Sequence, residues 1–277
     1  MPSLEVQHIR HDGQVLALHH HPEPGDGPAV LVLPAMGAPA GYYTPLVSAL
    51  AGCGLAPSVL DLRGHGASTP PPARGDRTDY RALSDDVSRV IDHIRSRHGG
   101  RPVVALGHSL GGQLAVLHLA RGGALDALVL VAVGLPYWRS YRGVFGVGAA
   151  IAVQGIGAVA QVGRVWPGWG FGGRQAAGTM RDWARTARTG TYLAVLDDDE
   201  SRHLAQLSLP VLAVDVEHDR FTPPPTTTQL LRLLPSAEVT RWTYTDAHAG
   251  TRLDHMRWVR ASGPLAQDVA AHLQQLR

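Results

Sequence analysis

The residues Gly107-His108-Ser109-Leu110-Gly111 hold a serine between two glycines, each two positions away, which is the spacing of a nucleophile elbow. The flanks give the pattern its weight. Val103-Val104-Ala105-Leu106 reads as the strand entering it and Gly112-Gln113-Leu114-Ala115-Val116 as the start of the helix leaving it. A sharp strand-to-helix turn lifts the serine above a sheet, and the glycines let neighbouring backbone pass close by. The new helix points its positive end at an oxyanion forming there. The chemistry implied is attack of a hydroxyl on an acyl carbon through a covalent intermediate.

A serine hydroxyl is a weak nucleophile without a base, and the base needs an orienting carboxylate. After such an elbow the chain order is acid, then histidine. Asp219, in Glu217-His218-Asp219-Arg220-Phe221, follows the apolar run 211–216 and stands where the acid is expected. Asp215 is its competitor, but as a residue within that run it should point elsewhere. Two histidines come later, His248 soon after the run Glu238–Tyr244 and His255 seven residues beyond. In a chain with 15 histidines, position slightly favours His248 and leaves both open. The oxyanion also needs main-chain N–H groups. Leu110 should supply one, and the loop Pro34-Ala35-Met36-Gly37 the other, with Met36 the first choice and Ala35 the second.

These residues must be carried by a sheet. Segments 4–10 and 14–21 flank Asp12-Gly13, a hairpin signal. Then apolar runs at 29–33, 58–62, 102–106 and 127–133 alternate with helical stretches at 42–51, 79–98 and 110–120. In the second of these helices Leu83, Val87, Val90, Ile91 and Ile94 mark one buried face. The rhythm resumes with strands at 211–216 and 238–244 and helices at 226–234 and 264–276. Continuous Val/Leu runs between helices predict an α/β fold with a mostly parallel sheet covered on both faces. Residues 135–205 break the pattern and are too long for a plain loop. They read as a helical cap inserted after the sixth strand, dividing the core into 1–134 and 206–277.

Composition sets outer limits. The 277 residues are 44% apolar and 17% charged, as in an ordinary globular protein. A net charge of +2 from 25 basic and 23 acidic residues leaves no electrostatic footprint for nucleic acid. Cys53 is the sole cysteine, so no intramolecular disulfide forms and the residue reads as a small apolar one. Met1-Pro2-Ser3-Leu4-Glu5 lacks the features of a signal peptide. The most apolar stretch, 144–165, is interrupted by Gln154, Gln161 and Arg164, so no stable membrane insertion is expected and the cytoplasm is the default location. His19-His20-His21 cannot converge on a metal, because successive strand residues face opposite ways. No metal or other cofactor is expected.

At this point the sequence resembles the α/β-hydrolase superfamily, specifically a branch of predicted hydrolases near serine aminopeptidase S33 and monoglyceride-lipase-like proteins. The resemblance covers nearly the whole chain. Its marks are Asp61-Leu62-Arg63-Gly64-His65-Gly66-Ala67-Ser68, Gly107-His108-Ser109-Leu110-Gly111-Gly112, Met180-Arg181-Asp182-Trp183-Ala184-Arg185 and Leu253-Asp254-His255-Met256-Arg257-Trp258-Val259-Arg260. It implies that 61–68 is a structural loop. The branch carries a Gly-His-x-Gly-aromatic-aromatic-Arg signature whose histidine is taken as the base. His255, with Trp258 and Arg260 behind it, matches that position and His248 does not, so the resemblance implies Ser109, Asp219 and His255 as the triad. Asp254 and Arg257 stand where glycines are usual, and Asp254 is placed to compete with Asp219 for the imidazole.

Trp138, Tyr141, Phe145 and Trp166, with Trp169 and Phe171, suit either a lid over an apolar pocket or the cap's own core. The acidic run Asp197-Asp198-Asp199-Glu200 reads as solvent-facing. The expected activity is serine hydrolysis of a small-molecule carboxylic ester or thioester, in preference to an amide, through an acyl-enzyme. An acyltransferase using the same triad, and a non-catalytic binding protein on the same fold, are the alternatives.

Overall fold

Ala29-Val30-Leu31-Val32-Leu33 is apolar at every position, so both faces of that strand must be covered. In the computed structural model, which describes residues 3–97, 99–192 and 195–274 without the side chains of Val144 and Phe145, all five are buried in strand β3 (Ala29–Leu33). Leu31 and Leu33 point into one core, Val30 and Val32 into the other, as a period of two requires.

The hairpin β1 (Glu5–His11) and β2 (Gln14–His20) turns at Asp12-Gly13, both with positive φ. Next come β4 (Ala56–Leu60), β5 (Val103–His108), β6 (Ala127–Val131), β9 (Pro210–Val216) and β10 (Glu238–Tyr244). Together they form an eight-stranded sheet in the order β1-β2-β4-β3-β5-β6-β9-β10. Only the pairings of β2 with β1 and with β4 are antiparallel. Strand β4 starts two residues before the expected 58 because Pro57 is accommodated there: it lies just outside the stretch paired with β2, where a missing N–H is tolerated.

Helices α2 (Tyr80–Arg97) and α3 (Leu110–Ala120) cover one face, and α1 (Thr44–Gly52) and α9 (Gly263–Leu273) the other. His98 and Leu276, the expected ends of α2 and α9, lie outside the described residues. Between β6 and β9 the chain inserts α4 (Gly143–Gly163), the short strands β7 (Val165–Trp166) and β8 (Gln175–Ala176), α5 (Ala177–Thr189) and α6 (Asp198–Gln206). Gly157 of α4 sits against Ala184 of α5, so close that a Cβ on the glycine would lie 2.7 Å from the alanine's. This is the helical cap. The acidic run 197–200 is not simply solvated: Asp197 and Glu200 form a capping box on α6, and Glu200 pairs with Arg81 of α2 at 2.6 Å. The core also holds the short α-helices α7 (Pro224–Leu231) and α8 (Asp246–Ala249) and the 3-10 turns Ala40–Tyr43 and Arg257–Ala261.

Candidate active site

The loops after β3, β5, β9 and β10 all leave the carboxyl edge of the parallel sheet, where open α/β sheets build their sites. Ser109 follows β5 with φ 52 and ψ −119, a conformation that costs a β-carbon-bearing residue roughly 1–3 kcal/mol. The neighbours enforce it. A Cβ at Gly107 would lie 2.2 Å from Gly112 Cα, and one at Gly111 would lie 2.1 Å from the Leu33 carbonyl oxygen. Ser109 stands at the N-cap of α3 but makes no side-chain capping bond, so its hydroxyl is left for other work. Leu110 opens the helix, where first-turn N–H groups have no intrahelical acceptor.

Asp219 lies in the turn after β9. Its Oδ1 accepts from the Phe221 and Thr222 N–H groups at 2.8 and 2.9 Å, and its Oδ2 accepts from Thr222 Oγ1 at 2.6 Å and His255 Nδ1 at 2.7 Å. Burial pushes this carboxyl's pKa up, but the hydrogen bond and charge of His255 and the Thr222 bonds outweigh it and leave the pKa below the usual range. Asp215 points away and is buried between Thr227 and Arg241. Only His255, not His248, is brought to Asp219. His248 lies instead across from Asp268 of α9 at 3.4 Å and against the rings of Trp242 and Tyr244.

With Nδ1 committed to Asp219, His255 has Nε2 as its remaining ring nitrogen. The ring packs 4.9 Å from that of His108, the residue before Ser109, and 5.1 Å from Phe221. Asp254 does not compete for the imidazole. Its Oδ1 accepts from the Met256 and Arg257 N–H groups and so shapes the turn that carries His255. Trp258 is fully buried and directs its indole N–H at His108 Nε2, 3.4 Å away. Burial, and then the proximity of His255, hold the His108 pKa well below the ordinary histidine value, so the ring stays neutral.

The loop after β3 is tied to the same cluster. The Ala35 N–H donates to the Tyr43 hydroxyl at 2.8 Å, and that oxygen lies 2.7 Å from His108 Nδ1. Ala35 is thereby taken up, whereas the Met36 N–H has no acceptor among the described residues. Asp61 anchors the loop from beneath. Its carboxylate accepts from the Ala40 and Ala67 N–H groups and meets His19 at 2.7 Å. The loop 61–68 is thus a brace, and His19 serves it.

The cap closes over this edge through a close approach: a Cβ on Gly37 would lie 2.2 Å from the Gly172 carbonyl oxygen. Phe171 stacks on Trp183 at 4.8 Å and faces Phe221 at 6.3 Å. Trp183, Phe171, Phe221 and His255 thus form a continuous aromatic row from the cap to the imidazole. Of the cap residues singled out in the sequence, Trp166 is buried with Ala160 and Met180 in the cap's own core, its indole donating to the Phe171 carbonyl. Tyr141 donates its hydroxyl to the Phe221 carbonyl at 2.6 Å. Trp138 is half-buried beneath the Arg139 guanidinium, and the side chain of Phe145 lies outside the described part. Phe221 was missed as a contact residue. Nothing but its place two residues after Asp219 could have suggested it.

Glu217, His218 and Asp246 bring ligand-type atoms within 4.8 Å of one another. They are already joined by a 3.2 Å His218–Asp246 pair and by the Asp246 N–H on Glu217, and form an outlying polar cluster.

The sheet order, the elbow and the inserted cap define an α/β hydrolase. Residues 27–248 match the model of the serine aminopeptidase S33 family, and the chain belongs to that family. It is 32% identical over 138 residues to human monoglyceride lipase, covering 47% of this chain and 44% of that protein. It is 25% identical over 183 residues to the AB hydrolase superfamily protein YisY of Bacillus subtilis, covering 59% and 64%. These matches thus span less than two thirds of either relative. A soluble variant of monoglyceride lipase from Saccharomyces cerevisiae, in complex with a substrate analog, superposes with a TM-score of 0.75 at 15% identity, covering 100% of this chain and 96% of that one. The thioesterase domain from the curacin biosynthetic pathway gives 0.62 at 16% identity over 98% and 100%. The last two likenesses are of fold.

Proposed function

We propose that this α/β hydrolase is a serine hydrolase that cleaves a carboxylic ester or thioester through an acyl-enzyme. The observation that carries the reading is the joint geometry of the strained, uncapped Ser109 and the 2.7 Å His255–Asp219 pair, with His255 packed on the residue preceding the serine. Asp219, ionised, accepts a hydrogen bond from His255 Nδ1–H and thereby leaves the Nε2 lone pair as the base. Ser109 Oγ gives its proton to Nε2 and bonds to the acyl carbon. The Met36 and Leu110 N–H groups hold the oxyanion that forms. Collapse expels the alcohol or thiol with the proton from Nε2, and leaves the acyl group on Ser109. Water then gives a proton to Nε2 and attacks the same carbon, and collapse releases the acid as Nε2 returns that proton to Ser109 Oγ.

The acyl group would lie along the apolar row of Phe221, Phe171 and Trp183, with Tyr141 fixing Phe221 from behind. The relative named monoglyceride lipase supports an ester over an amide. A fluorophosphonate probe tests the reading directly. Labelling should be lost in Ser109→Ala and His255→Ala and kept in His248→Ala. Labelling that survives Ser109→Ala, or that needs His248 rather than His255, refutes it.

A further inference from the structure

Helix α4 carries no charged residue, and its two polar side chains of any size, Gln154 and Gln161, turn to α5, donating to the Ala184 and Ala177 carbonyls. One side packs Gly157 and Ala160 toward Met180 and Ala184 of α5. The other presents Val147, Ile151 and Val162, which are 50%, 70% and 85% exposed and fall within ~60° of one another around the helix axis. No charged residue lies between Arg142 and Arg164, and Trp169, 72% exposed, adds an aromatic from the loop that follows. An apolar helix face is normally packed away from water, and contiguous exposed apolar surface marks a contact site.

Charge says what kind of surface covers it. Residues 135–196 contain seven arginines and one acidic residue, Asp182. That is +6 for this segment in a chain of +2, so the remainder carries −4. All seven arginines are exposed and Asp182 is buried. Arg142 and Arg164 flank α4, Arg185 and Arg188 lie on its neighbour α5, and none of the four has an acidic partner among the described residues. An apolar helix face framed by unpaired arginines matches an interface with phosphates outside and acyl chains within.

We propose that the cap docks, through α4, on an anionic phospholipid bilayer, with Val147, Ile151, Val162 and Trp169 at the acyl boundary and the arginines at the phosphates. The contact is peripheral, because the opposite side of α4 is held on α5 and cannot leave it without dismantling the cap. A second copy is disfavoured as the occupant, since it would press two +6 surfaces together.

The full chain is sedimented with vesicles of phosphatidylcholine alone, or with one third phosphatidylglycerol, and should bind the anionic set at least about tenfold more tightly and release as salt rises. The double variant Ile151→Ser/Val162→Ser should lose most binding to anionic vesicles, Arg142→Gln/Arg164→Gln should lose the preference for them, and Val239→Ser, on the exposed face of β10, should bind like wild type. Thermal unfolding checks the folding of each variant; should the apolar pair unfold, the arginine pair and the salt titration decide. Wild type that ignores anionic vesicles, binding indifferent to both double variants, or a concentration-dependent dimer abolished by the apolar pair would each overturn the proposal.

Discussion

Tyr43→Phe removes one oxygen from a fully buried side chain. That oxygen accepts the Ala35 N–H at 2.8 Å and lies 2.7 Å from His108 Nδ1. Its loss strands two polar groups where water does not reach, and each stranded group costs about 1–3 kcal/mol. The expected destabilisation is therefore about 2–6 kcal/mol, or a fall in Tm of roughly 5–20 °C at ~2–4 °C per kcal/mol for a domain near this size. Tyr80 supplies the contrast: it too is fully buried, but its hydroxyl has no partner among the described residues. Tyr80→Phe deletes an unsatisfied group and should be neutral or stabilising by up to ~1 kcal/mol. Urea denaturation of both variants beside wild type, with m-values checked for equality, measures the difference. Because Ala35 and His108 adjoin Met36 and Ser109, Tyr43→Phe should also slow fluorophosphonate labelling of the folded protein. If Tyr43→Phe is no less stable than Tyr80→Phe, the account of the loop as hydrogen-bonded through Tyr43 is wrong.

Other perturbations probe separate parts of the molecule. Gly111→Ala drives a Cβ to 2.1 Å from the Leu33 carbonyl oxygen, so the elbow must shift, and labelling should fall by at least about a hundredfold even where circular dichroism shows a folded chain. Asp219→Asn keeps the shape but can present the wrong imidazole tautomer, and ester turnover should drop by roughly 10³–10⁴ at unchanged fold; a loss under tenfold would remove Asp219 from the mechanism. Burial lowers the pKa of both His108 and His118 in the folded protein. Each group therefore contributes stability that is present above the unfolded value, about 6.5, and lost as pH falls below it, at up to ~1.4 kcal/mol per pH unit per group. His118→Gln, remote from the site, should flatten that acid limb in a series of urea melts, and an unchanged slope would contradict the assignment.

How much could be read from the chain alone depends on the range of the forces involved. The strands of the eight-stranded sheet, the helical spacing of α2, the hairpin at Asp12-Gly13 and the Ser109 elbow are legible, because local sterics and periodic burial set them; the two-residue strands β7 and β8 in the cap are not. The cap itself is legible as an interruption of the αβ rhythm. Strand order, the Asp219–His255 contact across 36 residues of sequence, and the release of Asp215 and His248 to other partners are not. Each is a competition between chemically similar side chains, decided by which backbone segments the sheet sets side by side. Sequence spacing leaned toward His248, and only the resemblance pointed to His255. The turn capped by Asp254 then directs His255, and not His248, toward Asp219. The sequence by itself determined that a strained serine would stand at a strand end with acids and histidines to follow. The tertiary structure alone decided which of them met, because a hydrogen bond reaches only about 3 Å and nothing in the order of residues measures that distance.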